Sequence, residues 1–97
     1  MSRPPSVVVL AGDLDVYTVK RVRAALDPVD GPAIVDMSAV EFLDAAALGE
    51  LARLARRVGT GTVVLVVPSP QIRRVLDIVR FDRLFRIVTR MPDARGA

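Results

Sequence analysis

Three short apolar runs constrain the fold of this chain more than any other feature. They occupy residues 7–11, 33–37 and 62–67, and they are rich in the β-branched residues that favour strands. The first run contains no polar residue, and the third contains none after Thr62. Uninterrupted runs of this kind are typical of strands that are covered on both faces, so we expect both strands to be buried in this way.

Segments with helical periodicity separate these runs. Apolar residues recur at the spacing of one helix face in three places: Val19, Val22 and Leu26; Leu48, Leu51, Leu54, Ala55 and Val58; Ile72, Val75, Leu76 and Val79. Residues 81–88 have the pattern of a turn or short helical piece that leads to a last strand. Strands that alternate with helices are joined by right-handed crossovers into a mostly parallel sheet, so the sequence predicts an α/β fold.

The chain has 97 residues, which is the length of one domain. We expect a single domain over residues 1–97, with a core from about residue 7 to 88 and loose ends at 1–5 and 92–97. Gly12 is predicted to end the first strand, and residues 38–44 are predicted to be a connection.

Side chains suited to helix ends occur at the expected boundaries. Asp44 is predicted to cap the second helix, with Leu43 and Leu48 forming a hydrophobic staple, and Gly59 is predicted to end that helix. Asp15 is predicted to cap the first helix. Ser69 is predicted to cap the third helix, with Pro70 at its first position. The polar face of the second helix is predicted to contain Glu50, Arg53, Arg56 and Arg57.

The composition favours a binding module over an enzyme. The chain has no cysteine and no histidine, which removes the usual metal ligands and the commonest general base, so no metal, cofactor or catalytic residue is assigned. The net charge is only +3, acidic residues are interleaved with the arginines, and no aromatic platform accompanies them, which argues against a nucleic-acid partner. The apolar run at residues 7–11 is too short for a signal peptide or a membrane span, so we expect a cytoplasmic protein without membrane insertion.

Two segments are candidates for a functional surface. The first is the turn Gly12-Asp13-Leu14-Asp15, whose single glycine and two carboxylates do not suit a phosphate-binding loop. The second is the start of the second helix, where Ala45, Ala46 and Ala47 follow Asp44. Alanine is a good helix former, and its small side chain also leaves the positive end of the helix open to close approach by a partner.

Four motifs in order along the chain resemble those of a known family. They are Gly-Asp-Leu-Asp at 12–15, Val-Asp-Met-Ser at 35–38, Phe-Leu-Asp-x-x-x-Leu-Gly at 42–49 and Ser-Pro-x-x-x-Arg-Val-Leu at 69–76. Together with Leu84-Phe85 they resemble the STAS domain of bacterial anti-sigma factor antagonists. The resemblance implies a four- or five-stranded sheet with helices packed mainly on one side. It also implies partner switching, in which the protein sequesters an anti-sigma factor of the serine-kinase type and so releases a sigma factor; self-association is left open.

The chain departs from the family pattern at one position. The residue after the equivalent of Asp44 is typically a phosphorylated Ser or Thr, and here it is Ala45, which has no oxygen to modify. Three interpretations follow: an antagonist that binds constitutively, a switch moved to another hydroxyl such as Thr18, or a STAS scaffold subunit of a membrane lipid-transport ATPase complex. The resemblance assigns partner contact to Asp13, Asp15, Thr18, Asp44, Ala45, Ala46 and Leu48, with Asp44 fixing the helix end and Asp15 anchoring a cationic group.

Overall fold

The computed structural model describes residues 5–95, within which strands and helices alternate as the sequence predicts. The elements are β1 (Ser6–Leu14), α1 (Val19–Leu26), β2 (Ala33–Leu43), α2 (Ala45–Val58), β3 (Val63–Val66), α3 (Pro70–Ile78), a 3-10 helix (Phe81–Arg83), β4 (Arg86–Val88) and α4 (Met91–Arg95). The strands form one parallel sheet in the order β1-β2-β3-β4. The predicted α/β class with a parallel sheet is confirmed.

The main core lies between one face of the sheet and helices α1, α2 and α3. It is built from apolar side chains such as Val35 and Leu65 of the sheet and Val22, Leu51 and Leu76 of the helices. A smaller cluster on the opposite face contains Ile34, Val66 and Ala94, and α4 supplies the last of these. Helices therefore pack mainly on one side of the sheet, as expected.

The expectations for the first strand were wrong in two respects. Val7 and Val9 are 44% and 63% exposed, so β1 is not covered on both faces. The reason is its position: β1 lies at the edge of the sheet, pairs only with β2 among the described residues, and is covered by helices on one face. Gly12 does not end the strand either, because it takes a φ of +76° within β1, a value that glycine adopts without strain.

The prediction of a connection at residues 38–44 was also wrong, because β2 continues to Leu43. This continuation has a partner, since β1 runs on to Leu14 and Leu14 pairs with Leu43. The register shifts twice along this pair, each time with an extra residue on β2. The apolar alternation that marks a strand in sequence is disturbed by such bulges.

The predicted cap residues of α2 and α3 are confirmed. Asp44 caps α2, and the Ser69 hydroxyl accepts a hydrogen bond from the Ile72 N–H at 3.3 Å at the start of α3. Gly59 ends α2 with a φ of +105°. Asp15 was predicted to cap α1, but α1 begins later, at Val19, with Thr18 as the N-cap residue.

Three further predictions need correction. Glu50 was placed on the polar face of α2 and is instead 8% exposed, because α1 packs beside it and Arg23 pairs with its carboxylate. Val79 is 42% exposed, since α3 ends at Ile78. The loose end predicted from residue 92 differs from the structure, in which Met91–Arg95 form α4 and bury Ala94 against the sheet. The predictions for residues 1–4 and 96–97 lie outside the described residues.

Candidate functional site

Two segments of the chain meet at the end of the β1–β2 strand pair. The loop from β1 to α1 covers residues 15–18, and α2 begins directly after β2. Asp13 pairs with Phe42 and Leu14 pairs with Leu43 in the strand register. The parallel sheet therefore brings the two predicted site segments to the same edge, although they are about thirty residues apart in sequence.

Asp44 joins these segments through both of its carboxylate oxygens. Its Oδ1 atom accepts hydrogen bonds from the N–H groups of Ala46 at 2.9 Å and Ala47 at 3.3 Å, which is the N-cap interaction of α2. Its Oδ2 atom accepts from the N–H of Val16 at 3.2 Å. The Asp44 N–H in turn donates to the Leu14 carbonyl at 3.1 Å. One residue thus fixes the start of α2 and the loop before α1 relative to each other.

Asp15 and Thr18 hold the loop itself in a tight turn. Asp15 Oδ1 accepts from the N–H groups of Tyr17 at 2.9 Å and Thr18 at 3.1 Å. The Thr18 hydroxyl donates to the Asp13 carbonyl at 2.8 Å and accepts from the Asp15 N–H at 3.0 Å. These bonds direct the Thr18 hydroxyl into the loop. Asp15 Oδ1 is engaged in hydrogen bonds within the turn.

The segments joined by Asp44 also carry exposed apolar side chains that were not predicted from the sequence. Tyr17 is 92% exposed, Val16 is 61% exposed and Phe42 is 50% exposed. Ala45, in the first turn of α2, is exposed as well. We call the exposed side chains of Val16, Tyr17, Phe42 and Ala45 the Asp44 surface, because Asp44 ties together the segments that carry them. Aromatic side chains such as those of Tyr17 and Phe42 are enriched in protein-binding surfaces.

The other residues predicted for the site differ in how far they reach the surface. Asp13 is exposed, Asp15, Asp44 and Ala46 are half-buried, and Leu48 is half-buried against the main core. Ala47, in the first turn of α2, is fully buried. Leu48 therefore supports the helix, and Ala45 is the residue of the alanine run that is most accessible to a partner.

Sequence features give a partial signal for the residues that were missed. Val16 and Tyr17 lie in the short loop between β1 and α1, where neither side chain reaches the core. Phe42 precedes the buried Leu43, and successive side chains of a strand point to opposite faces. An aromatic residue beside a buried one at the end of a strand is therefore a candidate for exposure.

The helices behind the surface are held together by charged side chains. Arg23 of α1 donates to Glu50 of α2 from Nε at 3.0 Å and from Nη2 at 2.8 Å. The hydrogen bonds from Arg23 hold the pKa of the Glu50 carboxyl below its usual value. At the far end of α2, Arg57 donates to the carbonyls of Leu26 and Val29. The two helices are thus joined at several points along their length.

Within residues 5–95, no three carboxylates lie together as a metal site. In the same range, no helix has the length and apolar character required to cross a bilayer.

Comparison with known proteins adds independent evidence. The sequence profile of the STAS domain matches residues 2–94. The chain is 30% identical over 94 residues to the anti-sigma-F factor antagonist RsfB of Mycobacterium tuberculosis, with 92% of this chain and 77% of RsfB covered.

Solved structures agree with this assignment. The crystal structure of an anti-sigma factor antagonist from Mycobacterium paratuberculosis superposes with a TM-score of 0.85 at 28% identity, covering 97% of this chain and 85% of that one. The anti-sigma factor antagonist SpoIIAA of Bacillus, in its unphosphorylated form, shares the fold with a TM-score of 0.66 at 22% identity, covering 96% and 87%. The chain belongs to the STAS domain family, among the anti-sigma factor antagonists.

Proposed function

We propose that this protein uses the Asp44 surface to bind an anti-sigma factor of the serine-kinase type, and so releases a sigma factor by partner switching. The partner-contact residues are Val16, Tyr17, Phe42 and Ala45, with Asp13, Asp15, Thr18, Asp44, Ala46 and Leu48 shaping or flanking the surface. The protein acts in the cytoplasm, where sigma factors work, and it acts by binding without turnover.

The observation that carries the proposal is the double role of Asp44. Its contacts with Val16 on one side and with Ala46 and Ala47 on the other hold the exposed Tyr17 and Ala45 on neighbouring, fixed segments. A surface that is fixed before binding loses little conformational freedom when a partner docks. A large, exposed aromatic side chain such as Tyr17 supplies contact area with few rotatable bonds.

The names of the relatives support the choice of partner. RsfB is an anti-sigma-F factor antagonist, and the Mycobacterium paratuberculosis protein is an anti-sigma factor antagonist. The alignment with RsfB covers most of both chains, so the resemblance includes the segments that form the Asp44 surface.

Two observations support constitutive binding. The family resemblance puts Ala45 at the position of the phospho-acceptor, and alanine has no hydroxyl. Thr18, the alternative acceptor, has its hydroxyl engaged with the Asp13 carbonyl and the Asp15 N–H, and a phosphate on that oxygen would disrupt the loop. Binding is then controlled by the amount of the protein rather than by a phosphate on this surface.

A binding assay with intact-mass analysis tests the proposal. The purified chain is mixed with the ATP-binding anti-sigma factors of its own organism, and complexes are detected by size-exclusion chromatography with and without ATP. We expect a complex with one of them in both conditions and an unchanged mass for the bait. An added phosphate contradicts constitutive binding, and a failure to bind any of them contradicts the partner class.

The transport-scaffold alternative predicts a different result in a parallel experiment. Pull-downs from solubilised membranes would recover an ATPase together with a permease. Recovery of these two proteins, without any anti-sigma factor, would replace the proposed function with the scaffold function.

A further inference from the structure

The free edge of the sheet along β1 carries an inference that is independent of the Asp44 surface. Within residues 5–95, β1 pairs with β2 on one side and with no strand on the other. Edge strands usually carry charges, prolines or bulges that prevent pairing with other chains. Residues 6–11 of β1 contain no charge and no proline, and both bulges of the β1–β2 pair lie on β2.

The backbone groups that face this edge can be identified by alternation. The Ser6 N–H donates to the Pro32 carbonyl at 3.2 Å, so Ser6 directs its backbone groups toward β2. Successive residues of a strand alternate in this direction, so Val7, Val9 and Ala11 direct their N–H and C=O groups toward the free edge. The side chains of Val7, Val9 and Ala11 are all exposed on the sheet face that α1, α2 and α3 leave open.

The edge is also open on the side of α1. A groove with a volume of about 240 Å³ runs between β1 and α1 and is lined by residues of both elements, including Val9, Ala11 and Arg21. Helix α1 therefore does not close over the backbone of β1, and a strand can approach it.

We propose that β1 pairs antiparallel with β1 of a second copy of this chain, about a two-fold axis at Val9. In this register Val9 faces Val9 of the second copy and Val7 faces Ala11. All three are residues whose backbone groups point outward, so each facing pair exchanges two hydrogen bonds in the ordinary antiparallel pattern. The two parallel sheets then form one continuous sheet with the helices of both copies on the same face.

A second copy fits this edge better than an unrelated strand for two reasons. A two-fold axis at Val9 leaves Asp13 and Pro5 outside the three facing pairs, so every facing residue is uncharged and keeps its N–H, and the contact closes on itself as a symmetric dimer requires. The facing side chains are small and apolar, so valine meets valine or alanine across the axis without charge repulsion. A pair of single strands is a small interface, so we expect reversible association at concentrations of about 1 µM to 1 mM.

Sedimentation equilibrium of the full chain tests the proposal. The mass is expected to rise from 10.5 kDa toward twice that value as the concentration increases. Val9→Lys places like charges opposite each other at the axis and should weaken association at least about tenfold. The matched control is Ile78→Lys, which also replaces an exposed apolar side chain, on α3, and should associate like the wild type.

Cross-linking tests the register, because the chain has no cysteine of its own. A facing hydrogen-bonded pair has Cα atoms about 5.5 Å apart and Cβ atoms slightly too far apart for a direct disulfide, so Val9→Cys should give a covalent dimer with a short bifunctional thiol cross-linker. Val7→Cys should not, because the two copies of residue 7 lie several residues apart in this register. Equal cross-linking of both variants overturns the register.

Two further outcomes overturn the proposal as a whole. One is a mass that stays at that of a single chain at every concentration, and the other is a Val9→Lys variant that associates like the wild type. Binding of Val9→Lys to an anti-sigma factor is measured in parallel and should be unchanged. If the chain is monomeric and Val9→Lys loses that partner, the edge belongs to the partner and not to a second copy.

Discussion

Arg23 of α1 and Glu50 of α2 form a two-point salt bridge, with Nε to Oε1 at 3.0 Å and Nη2 to Oε2 at 2.8 Å. The Glu50 side chain is 10% exposed and the Arg23 side chain is 56% exposed, so the carboxylate is largely withdrawn from water while its partner remains hydrated. Arg53, one turn farther along α2, approaches the same carboxylate at 3.6 Å. The pair joins α1, which follows the loop that carries Val16 and Tyr17, to α2, which begins at Ala45.

This pair predicts a pH dependence of stability. The hydrogen bond from Arg23 lowers the pKa of Glu50 below the usual value of 4.5, so the unfolded chain binds a proton more readily than the folded chain. The stabilisation is therefore fully present above pH 4.5 and is lost as the pH falls through the lower pKa of the folded state.

Glu50→Gln tests this dependence by urea unfolding at several pH values. We expect a lower midpoint than the wild type at pH 7, and a difference that disappears in acid. Glu41→Gln, at an exposed glutamate of β2, is the matched control. A Glu50→Gln difference that persists unchanged at low pH would mean that the charge of Glu50 contributes nothing.

Substitution of Asp44 should destabilise the fold, because its carboxylate accepts hydrogen bonds from both α2 and the β1–α1 loop. Asp44→Ala removes the cap of α2 and the bond to Val16, and should lower the free energy of unfolding by about 1–2 kcal/mol. Asp44→Asn retains an oxygen that accepts hydrogen bonds and should lose less. Amide hydrogen exchange at Val16 should be faster in the alanine variant, which distinguishes a broken loop contact from a general loss of stability.

Ser69→Ala is the matched control for the binding role of Asp44. It removes the cap of α3, which follows β3, a strand that ends beside Asp36 of β2 and not beside Leu43, and it should lower the free energy of unfolding by about 1 kcal/mol. Partner binding should weaken in Asp44→Ala and not in Ser69→Ala. Equal weakening in both would show that binding follows stability alone.

Substitution by alanine should have opposite effects at Gly49, which lies within α2, and at Gly59, which is the C-cap residue of α2. Gly59→Ala puts a Cβ in a backbone with φ +105°, 3.2 Å from Thr62 Oγ1, and should destabilise the fold by about 1–3 kcal/mol. Gly49→Ala adds a methyl group in open space within α2 and should stabilise it by up to about 1 kcal/mol. Thermal unfolding of both variants measures the contrast, and a loss at Gly49 would contradict it.

The fold was largely predictable because the spacing of apolar residues along the sequence indicates strands and helices. The apolar runs and helical stripes indicated every strand, α1, α2 and α3, and the cap residues at Asp44 and Ser69 were recognised from their side chains alone. What was missed depends on neighbours that are distant in sequence. Val9 is exposed because β1 lies at the sheet edge, and strand order is not encoded in the strand's own residues.

In the candidate site, too, local contacts could be predicted from the sequence and contacts between distant residues could not. The contacts of Asp44 with Ala46 and Ala47 follow from local helix chemistry, whereas its bond to Val16 spans 28 residues and requires the sheet register. Tyr17 was missed because a tyrosine in a loop is as compatible with burial as with exposure. Glu50 was misplaced because its salt-bridge partner lies on another helix.

The variant Ala45→Ser should gain a site for regulation by phosphorylation. The substitution places a hydroxyl at the first residue of α2, directly after Asp44. With the kinase-type anti-sigma factor and ATP, the variant should gain the mass of one phosphate and then release its partner, because two added negative charges disrupt an apolar contact. The wild type in the same mixture should gain nothing, and a phosphate on the wild type would contradict the proposed role of Ala45.

The most direct test of the account is the affinity of Ala45→Asp for the anti-sigma factor, measured by isothermal titration calorimetry beside the wild type and Ile78→Asp. A carboxylate at the first position of α2 favours the helix, so the variant should fold normally. We predict that Ala45→Asp loses at least about tenfold in affinity while Ile78→Asp binds like the wild type. Undiminished binding by Ala45→Asp would show that the partner does not dock on the Asp44 surface.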